Sequence, residues 1–337
     1  PNGSVSIIDV TATTLTATTL DFSGFNEKAA DIRTAGGRIY GPGATVAQDI
    51  EPEYIAITAD SKKAFVTLQE NNSVAEVDLT TKKINKIMGL GYKSYSAWAG
   101  LDPSDQDSSS NSGINIANWP VKGMYQPDAI TQYTYNGIPY LFTANEGDAR
   151  EYAGFTEMRR VGASAHVLDA TKFPNASTLK TDAQIGRLNT TTTLGDTDGD
   201  GDFDAIYTLG ARSFSVWNGL TGDQVFDSKN ELDKKALESQ VYDDGRSDDK
   251  GTEPEAVTVG KVGSKQIAIV GLERADAFAI YDITIPTAPV FVKLIKTGDA
   301  PEGVLFIPAG KSPIQQSLIV VSSENDGFVK IYKATKL

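Results

Sequence analysis

Four copies of a two-part signature run through this chain of 337 residues. Each copy opens with proline, an acidic residue and an apolar run, and closes with a second β-type run that ends in glutamate. The acidic pairs, in chain order, are Glu53 and Glu70, Asp128 and Glu146, Glu255 and Glu273, and Glu302 and Glu324. A strand–turn–strand unit that recurs in this way indicates a repeat fold.

The signature also predicts where these acids lie. In an antiparallel hairpin the start of the first strand lies beside the end of the second, so each unit brings its two acids to the same end. Third strands follow at residues 73–78, 277–282 and 327–332, and a fourth at residues 83–88. Units of four antiparallel strands are typical of propeller blades, and a radial arrangement would gather the acids into one acidic mouth.

We therefore predict an all-β fold, a single β-propeller domain over residues 1–337 with six or seven four-stranded antiparallel blades. Residues 205–209, 213–217 and 224–227 are expected to form one further blade, which carries Arg212 near the position of the glutamates. The N-terminal blade is expected to be incomplete, because residues 4–9 resemble a third strand without the two before it.

Residues 4–9 are apolar at alternate positions and would form an aggregation-prone edge if they were unpaired. Ring closure predicts that they pair with the last strands, around residues 318–332. The alternative is strand addition from a neighbouring molecule, which would produce self-association into filaments.

The composition narrows the class of protein. A net charge of −13 disfavours nucleic acid and anionic membranes as partners and suits divalent cations. The absence of cysteine excludes disulfides and thiolate metal sites, and a single histidine, His166, leaves little room for histidine-based zinc chemistry. No apolar run approaches the roughly 20 residues of a transmembrane helix. The start at Pro1 predicts a processed or truncated chain, and the composition favours a secreted or cell-surface bacterial protein.

Residues 196–204 carry the sharpest motif, in which aspartates alternate with other residues and two glycines allow a tight loop. Calcium takes six to eight oxygen ligands, and the loop matches positions 1, 3, 5 and 6 of an EF-hand, although position 12 is Tyr207. A solvated acidic turn is the alternative, but unscreened aspartates this close would repel one another. We predict a calcium site with the ligands Asp196, Asp198, Asp200, Asp202 and Asp204.

The acidic mouth is the second candidate site. Its acids could bind a metal or a cationic ligand, or could cap the hairpins by accepting backbone N–H bonds. Arg150, Arg212 and Arg274 lie beside them in sequence and would either pair with the acids or clamp an anion. Long polar insertions at about 101–118 and 229–251 interrupt the repeats, and loops of this length usually cover a functional face or stay mobile.

Five segments together carry a resemblance to a known family, at residues 100–105, 119–129, 143–150, 212–217 and 246–255. They resemble the choice-of-anchor I family of bacterial secreted or surface β-propellers, whose relatives carry labels such as "mesenchyme-specific cell surface glycoprotein" and alkaline phosphatase. The N-terminus is shorter than the family pattern by about one hairpin. The resemblance implies an extracellular or cell-surface location and assigns no catalytic residue.

Two functions follow as expectations. The first is an extracellular calcium-binding β-propeller that acts as a surface, matrix or filament-forming structural or binding protein. The alternative is a calcium-dependent phosphoesterase at the acidic mouth, in which the metal polarises the ester and arginine stabilises the developing charge. Whether the chain is an enzyme is left open, with the balance toward a non-enzymatic role.

Overall fold

The computed structural model describes residues 2–11, 13–97, 99–107 and 113–334. The fold is all-β, with short helices only in the connections. The N-terminal hairpin consists of strands β1 (Ser4–Asp9) and β2 (Thr16–Asp21), and helices α1 (Ala29–Thr34) and α2 (Val46–Asp49) follow.

The partner of the first strand differs from the prediction. β1 pairs antiparallel with β2 along its whole length, so the expected pairing with residues 318–332 is wrong. Pairing with β2 closes a short loop, whereas pairing with the last strands would order almost the whole chain, and loop-closure entropy rises with loop length. Val5 of β1 and Phe22 after β2 then pack against Val66 in one apolar cluster.

The first predicted unit forms a four-stranded antiparallel sheet in sequence order. Its strands are β3 (Ile55–Ile57), β4 (Lys63–Leu68), β5 (Ser73–Asp78) and β6 (Lys83–Gly89). Strands β7 (Tyr92–Ser94) and β8 (Val121–Met124) follow and leave this sheet. Between them lies the insertion at 101–118, of which residues 108–112 are outside the described residues.

The second sheet is interrupted in sequence. Strands β9 (Ile130–Tyr135) and β10 (Ile138–Asn145) form a hairpin, after which the chain makes a long excursion. The excursion contains β11 (Glu151–Tyr152), β12 (Phe155–Thr156), β13 (Met158–Arg160), α3 (Ala176–Leu179), β14 (Asn189–Thr191) and β15 (Ile206–Thr208). Strands β16 (Ser213–Asn218) and β17 (Gln224–Asp227) then complete the sheet on the free edge of β10.

This arrangement corrects the prediction of a separate blade over residues 205–209, 213–217 and 224–227. β15 joins a five-stranded sheet of order β13-β14-β15-β8-β7, in which β15 and β8 are parallel. β16 instead pairs with β10, and Trp217 Nε1 donates a hydrogen bond to Thr143 Oγ1 at 2.9 Å across that pairing. β15 and β16 are adjacent in sequence. The pairing that buries the most apolar surface nevertheless joins β16 to β10, about 70 residues away in sequence.

The third and fourth units follow without interruption. Helix α4 (Glu231–Glu238) precedes β18 (Pro254–Val262), β19 (Lys265–Leu272), β20 (Ala277–Asp282) and β21 (Val290–Lys296), which pair in sequence order. The last sheet has three strands, β22 (Pro301–Ile307), β23 (Leu318–Ser323) and β24 (Val329–Lys333).

We call the sheets that begin with β3, β9, β18 and β22 the blade sheets. The first strands of all four line one groove, as the innermost strands of propeller blades do. Apolar clusters pack each blade sheet against the next: Phe65 with Leu141, Phe142 with Val270, and Phe278 with Val321. In the described residues these sheets do not close into a ring, so six or seven blades are not confirmed.

The packing between blade sheets buries both faces of strands β10 and β19, the second strands of their hairpins. Leu141 and Phe142 are neighbours in β10 and point into different clusters, as Ile269 and Val270 do in β19. Each fully buried side chain of this size contributes about 1.5–3 kcal/mol. Because both faces of these strands are buried, the second run of the signature is continuously apolar instead of alternating between apolar and polar residues.

Candidate functional site

Backbone hydrogen bonds bring the two acids of each hairpin to the same end. Each of the following N–H groups reaches across the hairpin: Glu53 N to Thr67 O at 3.0 Å, Asp128 N to Ala144 O at 3.1 Å, Glu273 N to Glu253 O at 2.9 Å and Glu324 N to Ala300 O at 2.9 Å. Each of the four hairpins therefore carries its two acids at one end, as antiparallel hairpin geometry requires.

Seven of the eight acids interact with one another through their charges. Burial, followed by the charges of Glu146, Asp128, Glu273 and Glu302, raises the pKa of Glu255 to about 9. The members of the group are Glu53, Glu70, Asp128, Glu146, Glu255, Glu273 and Glu302. Glu324 is exposed, and no interaction with the group is found among the described residues.

Burial is the main cause of the raised pKa values elsewhere in the mouth. It raises the pKa of Asp128 to about 7, with Glu146 and Glu53 adding to the effect. It also raises the pKa of Glu70 to about 7, with Glu51 and Glu53 as the nearest like charges. Burial therefore favours the protonated forms of Glu70 and Asp128 near neutral pH.

The densest part of the mouth contains a residue that sequence analysis missed. Glu146, Glu253 and Glu273 each offer one carboxylate oxygen, and these oxygens lie within 4.8 Å of one another. Glu253 is fully buried. It directly precedes the Pro254 of the third signature, and that position, within a loop rich in charged side chains, is the signal that could have identified it.

An internal cation already occupies this acidic cluster. Lys250 Nζ contacts Glu146 and lies 3.3 Å from Glu253 Oε2. Although burial alone would lower it, the two carboxylates raise the pKa of Lys250 above its usual value. Arg246 and Arg274 also pair with Glu253. The cluster is therefore neutralised by side chains of the protein itself.

The three arginines predicted at the mouth have different environments. Arg150 pairs with Asp49 at 2.7 Å and with Glu51 at 3.1 Å, and Arg274 pairs with Glu273 at 3.0 Å. Arg212 is fully buried and donates to main-chain carbonyls, including Asp102 O at 2.8 Å and Ser247 O at 2.7 Å. Arg212 therefore holds the two insertions together and does not pair with the acids of the mouth.

The aspartate loop lies in the excursion between β10 and β16, outside the blade sheets. Its carboxylates form two groups that share Asp204: Asp196 and Asp198 on one side, and Asp202 with Asp169 on the other. Asp196 accepts hydrogen bonds from Gly199 N at 2.7 Å and Gly201 N at 3.1 Å, and both glycines have positive φ. Asp200 belongs to neither group.

Asp169 is the second residue that sequence analysis missed, because 27 residues separate it from Asp196. A parallel bridge between Leu168 and Phe203 brings it to the loop, and Asp169 N donates to Phe203 O at 3.1 Å. His166 stacks on the Phe203 ring at 4.2 Å, and its burial lowers the pKa of that imidazole to about 4. Its role at this site is packing.

Tyr207, at the position of the EF-hand glutamate, contacts Tyr92 with ring centroids 4.8 Å apart. The carboxylate that adjoins Asp202 and Asp204 is instead that of Asp169, so the twelve-residue EF-hand pattern does not describe the loop beyond its first half.

Comparisons with known proteins agree with this picture at the level of the family. A family model described as "Choice-of-anchor I domain" matches residues 1–286. Gigasin-3a of Magallana gigas is 29% identical over 185 residues, which cover 45% of this chain and 65% of that protein. The match thus spans less than two thirds of that relative.

Solved structures that match along most of this chain have low sequence identity and low TM-scores. A protein of unknown function from Desulfotomaculum acetoxidans is 8% identical, with a TM-score of 0.36 over 98% of this chain and 62% of that one. The Dos1 propeller is 10% identical, with a TM-score of 0.33 over 85% of this chain and 58% of that one. These similarities carry no argument about function. Among the described residues, no helix has the length and apolar character needed to cross a membrane.

Proposed function

The chain belongs to the choice-of-anchor I family, and we propose that it is an extracellular, surface-associated β-propeller protein that binds calcium through the aspartate loop. Its role in this proposal is structural or adhesive, as a component of a cell surface or matrix. The family supports the surface location, and the loop supports the calcium.

One observation carries the proposal, which is the contrast between the two acidic sites. In the mouth, Glu146, Glu253 and Glu273 are paired with lysine and arginine. In the loop, no Lys or Arg of the described residues forms an ion pair with Asp169 or with any of the five predicted ligands. Carboxylates this close repel strongly unless a cation neutralises them.

The chemistry of the loop suits calcium. Asp169, Asp196, Asp198, Asp202 and Asp204 would supply carboxylate oxygens, and main-chain carbonyls and water would complete a shell of six to eight ligands. Asp200, although predicted as a ligand, is better placed to hold Asp202 N at 3.1 Å and so to shape the turn.

The mouth has a secondary role in this proposal, as a site for cationic groups. Glu53 and Glu302 are exposed, so a cationic side chain or a divalent ion could reach them. Phosphoester hydrolysis is not favoured by any observation, because Arg150 and Arg274 are already paired with carboxylates.

The test is calcium-dependent thermal stability. A ligand that binds only the folded state at 100 times its Kd stabilises that state by about 2.7 kcal/mol. We expect calcium to raise the Tm of the parent protein, and the double variant Asp198→Asn plus Asp204→Asn to lose most of the shift. The control is Asp223→Asn, which changes an exposed carboxylate on a turn. Equal Tm values in calcium and in excess EGTA would disprove the proposal.

A further inference from the structure

The mouth contains four carboxylates that no cation of the protein neutralises. They are the acids that open the four signatures, and we call them the inner acids: Glu53, Asp128, Glu255 and Glu302. In the described part of the chain, no lysine or arginine forms an ion pair with any of them. By contrast, Glu146, Glu253 and Glu273 of the same mouth are paired with lysine or arginine.

The inner acids lie close enough for their charges to act on one another. Burial is the first cause of the raised pKa of Asp128, and the inner acids Glu53 and Glu302 add to it. Burial also raises the pKa of Glu255, with Asp128 and Glu302 among the charges that add to the effect. Lys250 opposes the effect at Asp128, but its ammonium contacts other acids. Negative charge therefore remains for a ligand to neutralise.

A buried carboxylate beside the inner acids also lacks a partner. Glu70 is 8% exposed, and no donor among the described residues forms a hydrogen bond with its Oε2. Burial raises the pKa of Glu70, and the charges of Glu51 and Glu53 add to the effect, so its carboxylate lies near an inner acid. A buried acceptor without a donor is costly. The position therefore favours a ligand that brings N–H groups.

The spacing of the inner acids distinguishes an organic cation from a metal ion. Some carboxylates of the described residues form groups of three with oxygens within 4.8 Å of one another, but none of these groups includes an inner acid. A calcium ion needs its oxygen ligands at about 2.3–2.6 Å, so the inner acids do not converge closely enough. A guanidinium group is planar and directs five N–H donors outward, so it reaches carboxylates that lie farther apart.

Apolar side chains lead from the inner acids into the groove between the blade sheets. Two residues after each inner acid the chain has an isoleucine or valine that lines this groove: Ile55, Ile130, Val257 and Val304. The groove has a volume of about 240 Å³, and no charged side chain of the described residues lines it. Ile57, farther along β3, also lines the groove and is 54% exposed. The groove therefore has room for a short aliphatic chain.

We propose that the inner acids bind the guanidinium group of a ligand whose aliphatic stem lies in the groove against Ile55 and Ile57. The guanidinium donates N–H bonds to the inner acids, and the stem covers apolar surface that is now exposed. An arginine side chain of a partner protein and a free alkylguanidine share this chemistry. The inference rests on the cation-binding role proposed for the mouth and does not depend on calcium in the aspartate loop.

The experiment is calorimetric titration of the full chain with butylguanidine in EGTA. We expect saturable binding of one equivalent. Butylurea, which has nearly the same shape and no charge, should not bind. Methylguanidine, which lacks most of the stem, should bind roughly tenfold more weakly. Equal binding of butylurea and butylguanidine would overturn the proposal, because charge would then play no part.

Matched variants locate the site. Glu53→Gln, at an exposed position, should weaken butylguanidine binding roughly tenfold, as should Glu302→Gln. Glu324→Gln is the control, because Glu324 is an exposed acid at the end of the last hairpin and has no charge interaction with the inner acids among the described residues. Equal affinities in all three variants would contradict the proposal.

Two further titrations separate the sources and the competing ligands. A peptide with one arginine between glycines binds if the natural ligand is an arginine side chain, whereas binding of butylguanidine alone indicates a free guanidine. Calcium is titrated into the Asp198→Asn plus Asp204→Asn variant loaded with butylguanidine. Displacement by calcium would overturn the guanidinium assignment and leave the mouth a metal site. Because EGTA keeps the loop free of calcium in the other titrations, their failure leaves the calcium proposal intact.

Discussion

Carboxylates of the same chemical type play different roles in this protein, and their immediate neighbours decide which. Glu253 is fully buried and neutralised by Lys250, Arg246 and Arg274. Glu255 lies two residues away, and its Oε2 has no hydrogen-bond donor among the described residues. Glu253 is thus paired with three cationic side chains, whereas Glu255 lies near the charges of four further acids.

Glu255 makes the stability of the folded protein depend on pH. Its pKa is raised to about 9 in the folded state, by burial first and then by Glu146 and Asp128, against about 4.3 in an unfolded chain. The folded state therefore binds the proton more tightly, and this contribution to stability is lost as pH rises from about 4.3 through about 9.

Glu255→Gln, which mimics the protonated form, should therefore stabilise the protein at pH 8 by about 1–2 kcal/mol after solvent screening. At pH 4.5 the effect should be close to zero. Urea unfolding at both pH values measures it, with the exposed Glu302→Gln as the control at the same mouth. A gain of equal size at both pH values would contradict the argument.

At the scale of secondary-structure elements, the connecting loops carry the candidate binding residues, and the strands of the blade sheets hold those loops in position. The segment that leads into β18 delivers Arg246, Lys250 and Glu253 to the mouth. The excursion between β10 and β16 carries the aspartate loop, and the bridge from Leu168 to Phe203 completes it. Loops held by a rigid scaffold are where binding residues concentrate.

Lys250 tests whether the segment before β18 supplies an internal cation. Removing one partner of a buried ion pair costs about 3–5 kcal/mol, because the remaining charge is left uncompensated. Lys250→Ala should therefore lower stability by about that amount and leave Glu146 without its cationic partner, so that a metal ion could bind there. Urea unfolding with and without calcium, in the Asp198→Asn plus Asp204→Asn background, measures both effects.

The matched control is Lys265→Ala, which removes a lysine from a more exposed pair with Asp282. Its cost should remain below about 1 kcal/mol, with no new response to calcium. An equal loss in the two variants would show that Lys250 does not neutralise the mouth.

At the scale of the whole molecule, four blade sheets pack in series through apolar clusters that bury both faces of strands β10 and β19. Their first strands line one groove without closing a ring in the described residues. Several apolar side chains remain exposed, including Ile57 of β3, which lines the groove, and Val329 and Ile331 of β24, the edge strand of the last sheet.

The N-terminal hairpin distinguishes intramolecular pairing from strand addition. Because β1 pairs with β2 along its whole length, amides of β1 should be protected from hydrogen exchange in a dilute, monomeric sample, and raising the concentration should not increase the protection. Exchange followed by mass spectrometry at two concentrations measures this. Protection that appears only in the concentrated sample would show that a neighbouring molecule supplies the pairing.

The sequence alone determined the local units and the ends at which their acids lie. Each hairpin is specified by a turn, two apolar runs and a fixed register, so Glu53 and Glu70, or Glu255 and Glu273, were placed correctly without tertiary information. The pattern of alternating aspartates likewise located the loop, because that spacing is a local property of the chain.

Only the tertiary structure decided which distant segments meet. Two such contacts are the pairing of β16 with β10 and the approach of Asp169 to Asp204, and both join residues far apart in sequence. Such contacts depend on which packing buries the most apolar surface at the lowest loss of chain entropy. That balance is a property of the whole chain and is not encoded in the spacing of any one motif.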